Sequence, residues 1–415
     1  MTRTHSEKLH GVVEGFYGLP WSPAQREMLF DWLRSFPPLS TYLYAPKDDF
    51  WHRQRWRELY AEPQAAALGE LIAACAARGL RFIYAIAPGL DIRAASADDE
   101  RALFAKVGQL RRLGCREFAL LFDDVPARLD PADSKRFGSA GRAHADLSNR
   151  LSSHLRRRLD GELRLFCPTV YCSRQADFDL AGCAYLRDLA AELEPATRLL
   201  WTGPEVISLE ISRAHLVEVR RLLRHRIVLW DNLFANDYDL HRAFMGPFAG
   251  RDPALREEVD GILLNPNCEL PLNFVPLHSF AAYLGEAQPA PAAARYAAAT
   301  AAWQSRFGSC LNLEELRFLT DCFYLPHQLG PAAAALLEAR AGGDRARLEA
   351  ACARAEALYW RLATLEDRGL YHALRRYAWE IWNGLRSVTG APAPPAERAR
   401  GALVERLLRP ATPEQ

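Results

Sequence analysis

Eight short apolar runs, separated by stretches of helical pattern, constrain this chain more than any other feature. They are GVVEGFYG (Gly11–Gly18), TYLYAP (Thr41–Pro46), RFIYAIAPG (Arg81–Gly89), EFALLFDD (Glu117–Asp124), RLFCPTVY (Arg164–Tyr171), RLLWTGP (Arg198–Pro204), IVLWDN (Ile227–Asn232) and GILLNP (Gly261–Pro266). Branched and aromatic residues dominate them, as in parallel strands buried on both faces. The segments between are mostly amphipathic. Ser22-Pro23-Ala24-Gln25 has the form of a capping box with proline at the first helical position. Ser96, followed by Asp98 and Asp99, opens another helix. Eight strand–helix repeats predict an α/β fold, a closed (β/α)8 TIM-type barrel rather than an open sheet.

A barrel of this kind places its chemistry at the C-terminal ends of the strands. Polar and aromatic residues gather at those ends: Tyr17, Lys47-Asp48-Asp49, Asp123-Asp124, Tyr171, Thr202, Asp231-Asn232 and Asn265. The fourth run says most. Its apolar residues end in two adjacent carboxylates, which alternation would send to opposite sides unless the strand stops there. Two such acids repel, so at least one is expected to keep its proton to higher pH, which suits general acid/base work. The alternative is a helix N-terminus, where aspartate is common.

The 415 residues leave room for more than the roughly 250 of a barrel. Past about Leu284 the run EAQPAPAAARYAAATAAW is rich in proline and alanine. From about Asn312 the pattern is helical, broken at Gly342-Gly343-Asp344 and Thr389-Gly390. The expected organisation is a tail over 1–9, the barrel over 10–285, a linker and connecting helix over 286–311, an α-helical bundle over 312–395 and a tail over 396–415. A net charge of +1 gives no pull toward nucleic acid or anionic membrane. No run of about 18 apolar residues is present to span a bilayer. Nine cysteines, with no CxxC pair, read as reduced thiols. With no secretory signal in view, the expected compartment is the cytoplasm. No metal-ligand spacing or P-loop occurs, so no metal or cofactor is expected.

Taken together, the strand ends resemble the O-GlcNAcase family of β-N-acetylglucosaminidases, a glycoside hydrolase family. GVVEGFYGLPW, TYLYAPKDD, FIYAIAPGLDI, FALLFDD, FCPTVYCS, WTGP, LWDNLFANDYD, GPFAGR and NPNCE carry the resemblance, in order, through about residues 10 to 285. LRFLTDCFYLPHQLGP resembles the helical stalk domain of the same family more loosely. The resemblance implies substrate-assisted, retaining hydrolysis of a terminal β-linked GlcNAc, in which the sugar's 2-acetamido oxygen attacks the anomeric carbon and water opens an oxazoline-type intermediate.

Roles follow at matching positions. Asp123 would hold the acetamido N–H, and Asp124 would protonate the leaving oxygen and then activate water. Gly15, beside Tyr17, would let the backbone approach the sugar. Lys47 would donate to sugar hydroxyls, Tyr171 would contact the acetamido region and Trp230 would line the acetyl pocket. Asn232 would place the acetamido carbonyl, Asp237 would accept from hydroxyls at the far rim and Asn265 would bond nearby. Glu14 reads as a paired buried acid and Asp48 and Asp49 as loop braces. The implied partner is a glycoprotein carrying GlcNAc on Ser or Thr, or another β-GlcNAc glycoside. A homodimer through the helical domain is also implied, with the apolar FLTDCFYLP segment as its candidate surface or as core packed on its own barrel. Free glycans or cell-wall fragments are an alternative substrate class, and a sugar-binding barrel without turnover is a third reading. Two departures from the family pattern stand out: Val170 where many members carry an acid, expected to face away from Tyr171, and ELPLNF after Cys268.

Overall fold

In a computed structural model of the chain, which describes residues 8–125, 129–239, 241–285 and 288–390, all eight runs contribute strands. The tail expected over 396–415 and most of that over 1–9 lie outside the described residues. The strands are β1 (Leu9–Glu14), β2 (Thr41–Tyr44), β3 (Arg81–Ile86), β4 (Glu117–Leu121), β5 (Glu162–Cys167), β6 (Arg198–Trp201), β7 (Ile227–Asp231) and β8 (Gly261–Leu264). They pair in sequence order, all parallel, and β8 closes on β1. Helices alternate with them, and the C-terminal region is helical, so both parts of the expected fold class are present.

The strands are shorter than the runs. β5 stops at Cys167, because Pro168 has no N–H to continue the ladder. Tyr171 therefore sits in the following loop, and strand alternation does not govern Val170. Tyr171 is buried and Val170 is half-buried.

The barrel interior explains where the polar residues fall. Val13, Leu43, Ala45, Ala85, Leu121, Leu200, Val228, Trp230 and Leu263 belong to one buried cluster. Side chains repeat on one face of a strand every two residues. Two residues beyond Val13, Ala45, Leu121, Leu200, Trp230 and Leu263 come Gly15, Lys47, Asp123, Thr202, Asn232 and Asn265. The polar layer is thus the next tier of the apolar core.

Buried polar pairs clamp the helices to this barrel. The helix Pro23–Ser35 starts in the capping box read from sequence: Ser22 Oγ accepts from Gln25 N and Gln25 Oε1 from Ser22 N. Glu14, fully buried at the end of β1, accepts two hydrogen bonds from Arg26 of this helix at 2.7 and 2.9 Å, one from Trp21 N and one from the Tyr42 hydroxyl. The helix Ala97–Arg112 is capped by Ser96, and Asp98, Asp99 and Glu100 fill its first turn, favourable against the helix dipole. Asp48 accepts from Gly18 N, and Asp49 from the hydroxyls of Tyr44 and Tyr60. Asp231 and Arg251 form a fully buried, two-pronged pair at 2.6 and 2.7 Å.

The chain divides into two compact units, Met1–Trp303 with Phe323–Gln328, and Gln304–Cys322 with Leu329–Gln415. The second contains the helices Leu313–Cys322, Pro331–Ala341, Arg345–Leu362 and Arg368–Thr389. Leu358, Leu362, Leu374, Tyr377 and Ala378 are buried in it. Phe323–Gln328 returns to the first unit: Met245 N donates to Phe323 O at 2.7 Å, Gly246 N to Tyr324 O at 2.8 Å, and the Tyr324 ring lies edge-on to Tyr296. Phe318, Leu319, Tyr324 and Leu325 are buried within the single chain.

Candidate active site

A cavity of about 350 Å³ opens beyond the C-terminal ends of the strands, and all ten residues singled out from sequence line it: Gly15, Tyr17, Lys47, Asp123, Asp124, Tyr171, Trp230, Asn232, Asp237 and Asn265. The strand-end reading of the acid pair therefore holds over the helix-start reading. Among the described residues the next helix opens at Pro131.

Asp123 continues the inward face of β4. It is 7% exposed and Lys47 is 2% exposed, so the pair is almost fully desolvated. Lys47 Nζ donates to Asp123 Oδ2. Burial by itself would raise the Asp123 carboxyl. The charge and hydrogen bond of Lys47, with Arg53 further off, outweigh it and leave this carboxyl below the usual carboxylate range. Asp123 is therefore charged at neutral pH. Its Oδ1 is buried and has no partner among the described residues. Lys47 Nζ also lies 5.6 Å from the Trp230 ring centre, near enough for a cation–π contribution.

Asp124 escapes strand alternation by backbone conformation. Its φ is 52°, in the left-handed region. That region costs a non-glycine residue about 1–2 kcal/mol. Side-chain contacts hold it there. Tyr171 OH donates to Oδ1 at 2.8 Å and Tyr17 OH to Oδ2 at 3.0 Å. Burial, reinforced by the Asp124 charge, raises both phenols well above their ordinary value, so both stay protonated. A phenol can also accept, so either can turn its O–H when Asp124 itself carries the proton. Arg53 Nη2 donates to the Asp124 carbonyl at 3.1 Å.

Asn232 is oriented by its neighbours. Its Oδ1 accepts from Trp230 Nε1 at 3.0 Å and Asn265 Nδ2 at 2.9 Å, and its Nδ2 donates to Val206 O at 2.9 Å. That set fixes which end is oxygen and leaves one Nδ2–H for a ligand. Asp237 Oδ2 accepts from Tyr17 N at 2.9 Å, tying the two rims together. At Gly15 an added Cβ would stand 2.2 Å from Trp230 Cζ2, so the missing side chain makes room for the indole.

The β-N-acetylglucosaminidase family model matches residues 10–318. The chain belongs to that family. Over 275 residues, 66% of its length, it is 43% identical to the proteins named Protein O-GlcNAcase of Mus musculus and Rattus norvegicus. It spans only 30% of their length. Among solved structures, a mutant of the O-GlcNAc hydrolase of Thermobaculum terrenum resembles it with a TM-score of 0.82 at 28% identity, over 92% of this chain and 82% of that one.

This family member also has cavity residues that sequence reasoning did not select. Cys167 lines the cavity, as do Val206, Ile207, Ala235 and Tyr238. The period of two could have found Cys167, which follows Leu165 on β5. The others stand in loops, where no periodicity marks them. Arg53, buried in FWHRQRW after β2, carried no visible signal either.

Proposed function

We propose that the chain is a retaining β-N-acetylglucosaminidase that removes terminal β-linked GlcNAc, attached to Ser or Thr of proteins, with the sugar's acetamido group as nucleophile. The observation that carries this reading is the unequal setting of two adjacent carboxylates. Asp123 is anionic, buried and braced by Lys47, with one oxygen open. Asp124 is turned aside between two phenols.

In the first step the acetamido oxygen bonds to the anomeric carbon as the bond to the leaving oxygen breaks. Asp124 gives its proton to that oxygen. Asp123 Oδ1 accepts from the acetamido N–H, aligning the group and balancing the charge that develops on it in the oxazoline-type intermediate. The free Nδ2–H of Asn232 donates to the acetamido oxygen, and Trp230 walls the acetyl methyl. Asp237 and Asn265 accept from hydroxyls at the rim, and Lys47 spans Asp123 and the sugar. In the second step Asp124 takes a proton from water, whose oxygen attacks the anomeric carbon and restores the amide. Two inversions give net retention. Proton transfer of this kind contributes about 10²–10⁴-fold.

Activity on proteins is supported by the names of the relatives. All nine cysteines stand outside disulfides, which supports a reducing compartment, the cytoplasm. Among the described residues no helix is long and apolar enough to cross a membrane. The test compares β-GlcNAc aryl glycosides with good and poor leaving groups. In kcat/KM, Asp124→Ala is expected to lose about 10²-fold or more on the poor leaving group and far less on the good one, and Asp123→Ala to lose heavily on both. Small, equal losses from the two variants would overturn the reading.

A further inference from the structure

We infer that Arg53 is a positioning residue for the proton-transfer step, acting through the backbone of Asp124. The inference rests on the role proposed above for Asp124. Asp124 reaches between Tyr17 and Tyr171 from a backbone whose φ is 52°. Such an unfavourable conformation persists only when its surroundings hold it. Arg53 does so from behind: its Nη2 donates to the Asp124 carbonyl at 3.1 Å. The same guanidinium lies 5.7 Å from the centre of the Tyr17 ring, whose hydroxyl donates to Asp124 Oδ2. One cation thus grips the strained peptide and backs the phenol that orients its side chain.

Arg53 is itself rigidly placed. It is 5% exposed. Its neighbour His52 is fully buried and pinned to β3: Ala87 N donates to His52 O at 3.0 Å, and His52 Nδ1 bonds Ala85 O at 2.8 Å. Burial lowers this imidazole to about 4, so it is neutral at pH 7 and Nδ1 carries the hydrogen donated to Ala85 O. The anchor runs from β3 through His52 to Arg53, and from there to Asp124 at the end of the neighbouring strand. Asp123 depends on Arg53 less, because Lys47 holds its carboxylate directly and Arg53 adds only a more distant charge.

This division gives a signature that general destabilisation lacks. Loss of Arg53 should relax Asp124 and slow the bond-breaking step, which kcat/KM reports, most where the leaving oxygen needs its proton. Arg53→Met, Arg53→Lys and Asp124→Ala are assayed on the same pair of aryl glycosides, with the Kd for GlcNAc measured alongside. Arg53→Met is expected to lose about 10-fold or more in kcat/KM on the poor leaving group and less than about 3-fold on the good one, a fraction of the roughly 10²–10⁴ that acid catalysis supplies. The Kd for GlcNAc should stay unchanged. Arg53→Lys, which keeps a donor and the charge, should recover part of the loss. Equal losses on both glycosides, a weakened GlcNAc affinity that accounts for the loss, or no loss would overturn the inference while Asp124→Ala remained selective. If Asp124→Ala itself showed no selectivity, the acid assignment would fall and this inference with it.

Discussion

At the scale of single residues, the site turns on how neighbouring aspartates come to differ. Asp123 obeys the strand and Asp124 breaks from it. The first was legible in the sequence, because it lies two residues past Leu121, on a face whose apolar members repeat every second position. The second was legible only as an acid at a strand end. Its left-handed φ has no sequence signature, and its two phenol donors come from Tyr17 and Tyr171, distant in sequence. The mutual repulsion read from sequence did not say which acid is charged; at Asp123 the charge and hydrogen bond of Lys47 outweigh burial. A group held below its ordinary value is ionised throughout neutral pH. It loses its charge only as pH falls through that lowered value, beneath about 3.9. In Lys47→Met, burial loses its main opponent and the Asp123 carboxyl rises. The acid limb of the kcat/KM profile is therefore expected to move upward. An acid limb that stays in place would show that Lys47 does not set the charge of Asp123.

At the scale of elements, the strand count, order and parallel pairing were open to reading because buried strands and amphipathic helices have different periods. Strand ends were less so. The run ending at Tyr171 overshoots β5, since Pro168 ends the ladder while aromatic residues continue past it. The loops after β2, β6 and β7 supply Arg53, Val206, Ile207 and Tyr238, and no repeat marks them. The clamp between β1 and its following helix was half visible. Glu14 could be read as a paired acid, but Arg26, Trp21 and Tyr42 as its donors required the fold. Glu14 is fully buried and binds the Arg26 guanidinium through both oxygens. Glu14→Ala leaves that mostly buried cation without its carboxylate, and is expected to cost about 3–5 kcal/mol in denaturant unfolding of the barrel. A loss below about 1 kcal/mol would mean that water replaces the carboxylate with little penalty.

At the scale of the whole molecule, a barrel presents the site and a separate helical unit follows it. A homodimer, as the resemblance implies, would form through that helical unit. Phe318, Leu319, Tyr324 and Leu325 are buried in the single chain, so a dimer would have to use other helical surface, of which Trp360 at 58% exposure is the largest apolar side chain. Light scattering at micromolar concentration is expected to give twice the chain mass of 46.6 kDa, and a monomer would remove the dimer. The central claim is that GlcNAc attacks its own anomeric carbon while Asp123 holds the acetamido N–H. It is tested most directly by replacing the N-acetyl hydrogens stepwise with fluorine in one aryl glycoside. Each fluorine weakens the acetamido oxygen as a nucleophile, so kcat/KM is expected to fall steeply and in order across the series. A rate indifferent to fluorination, or a product of inverted configuration, would contradict it.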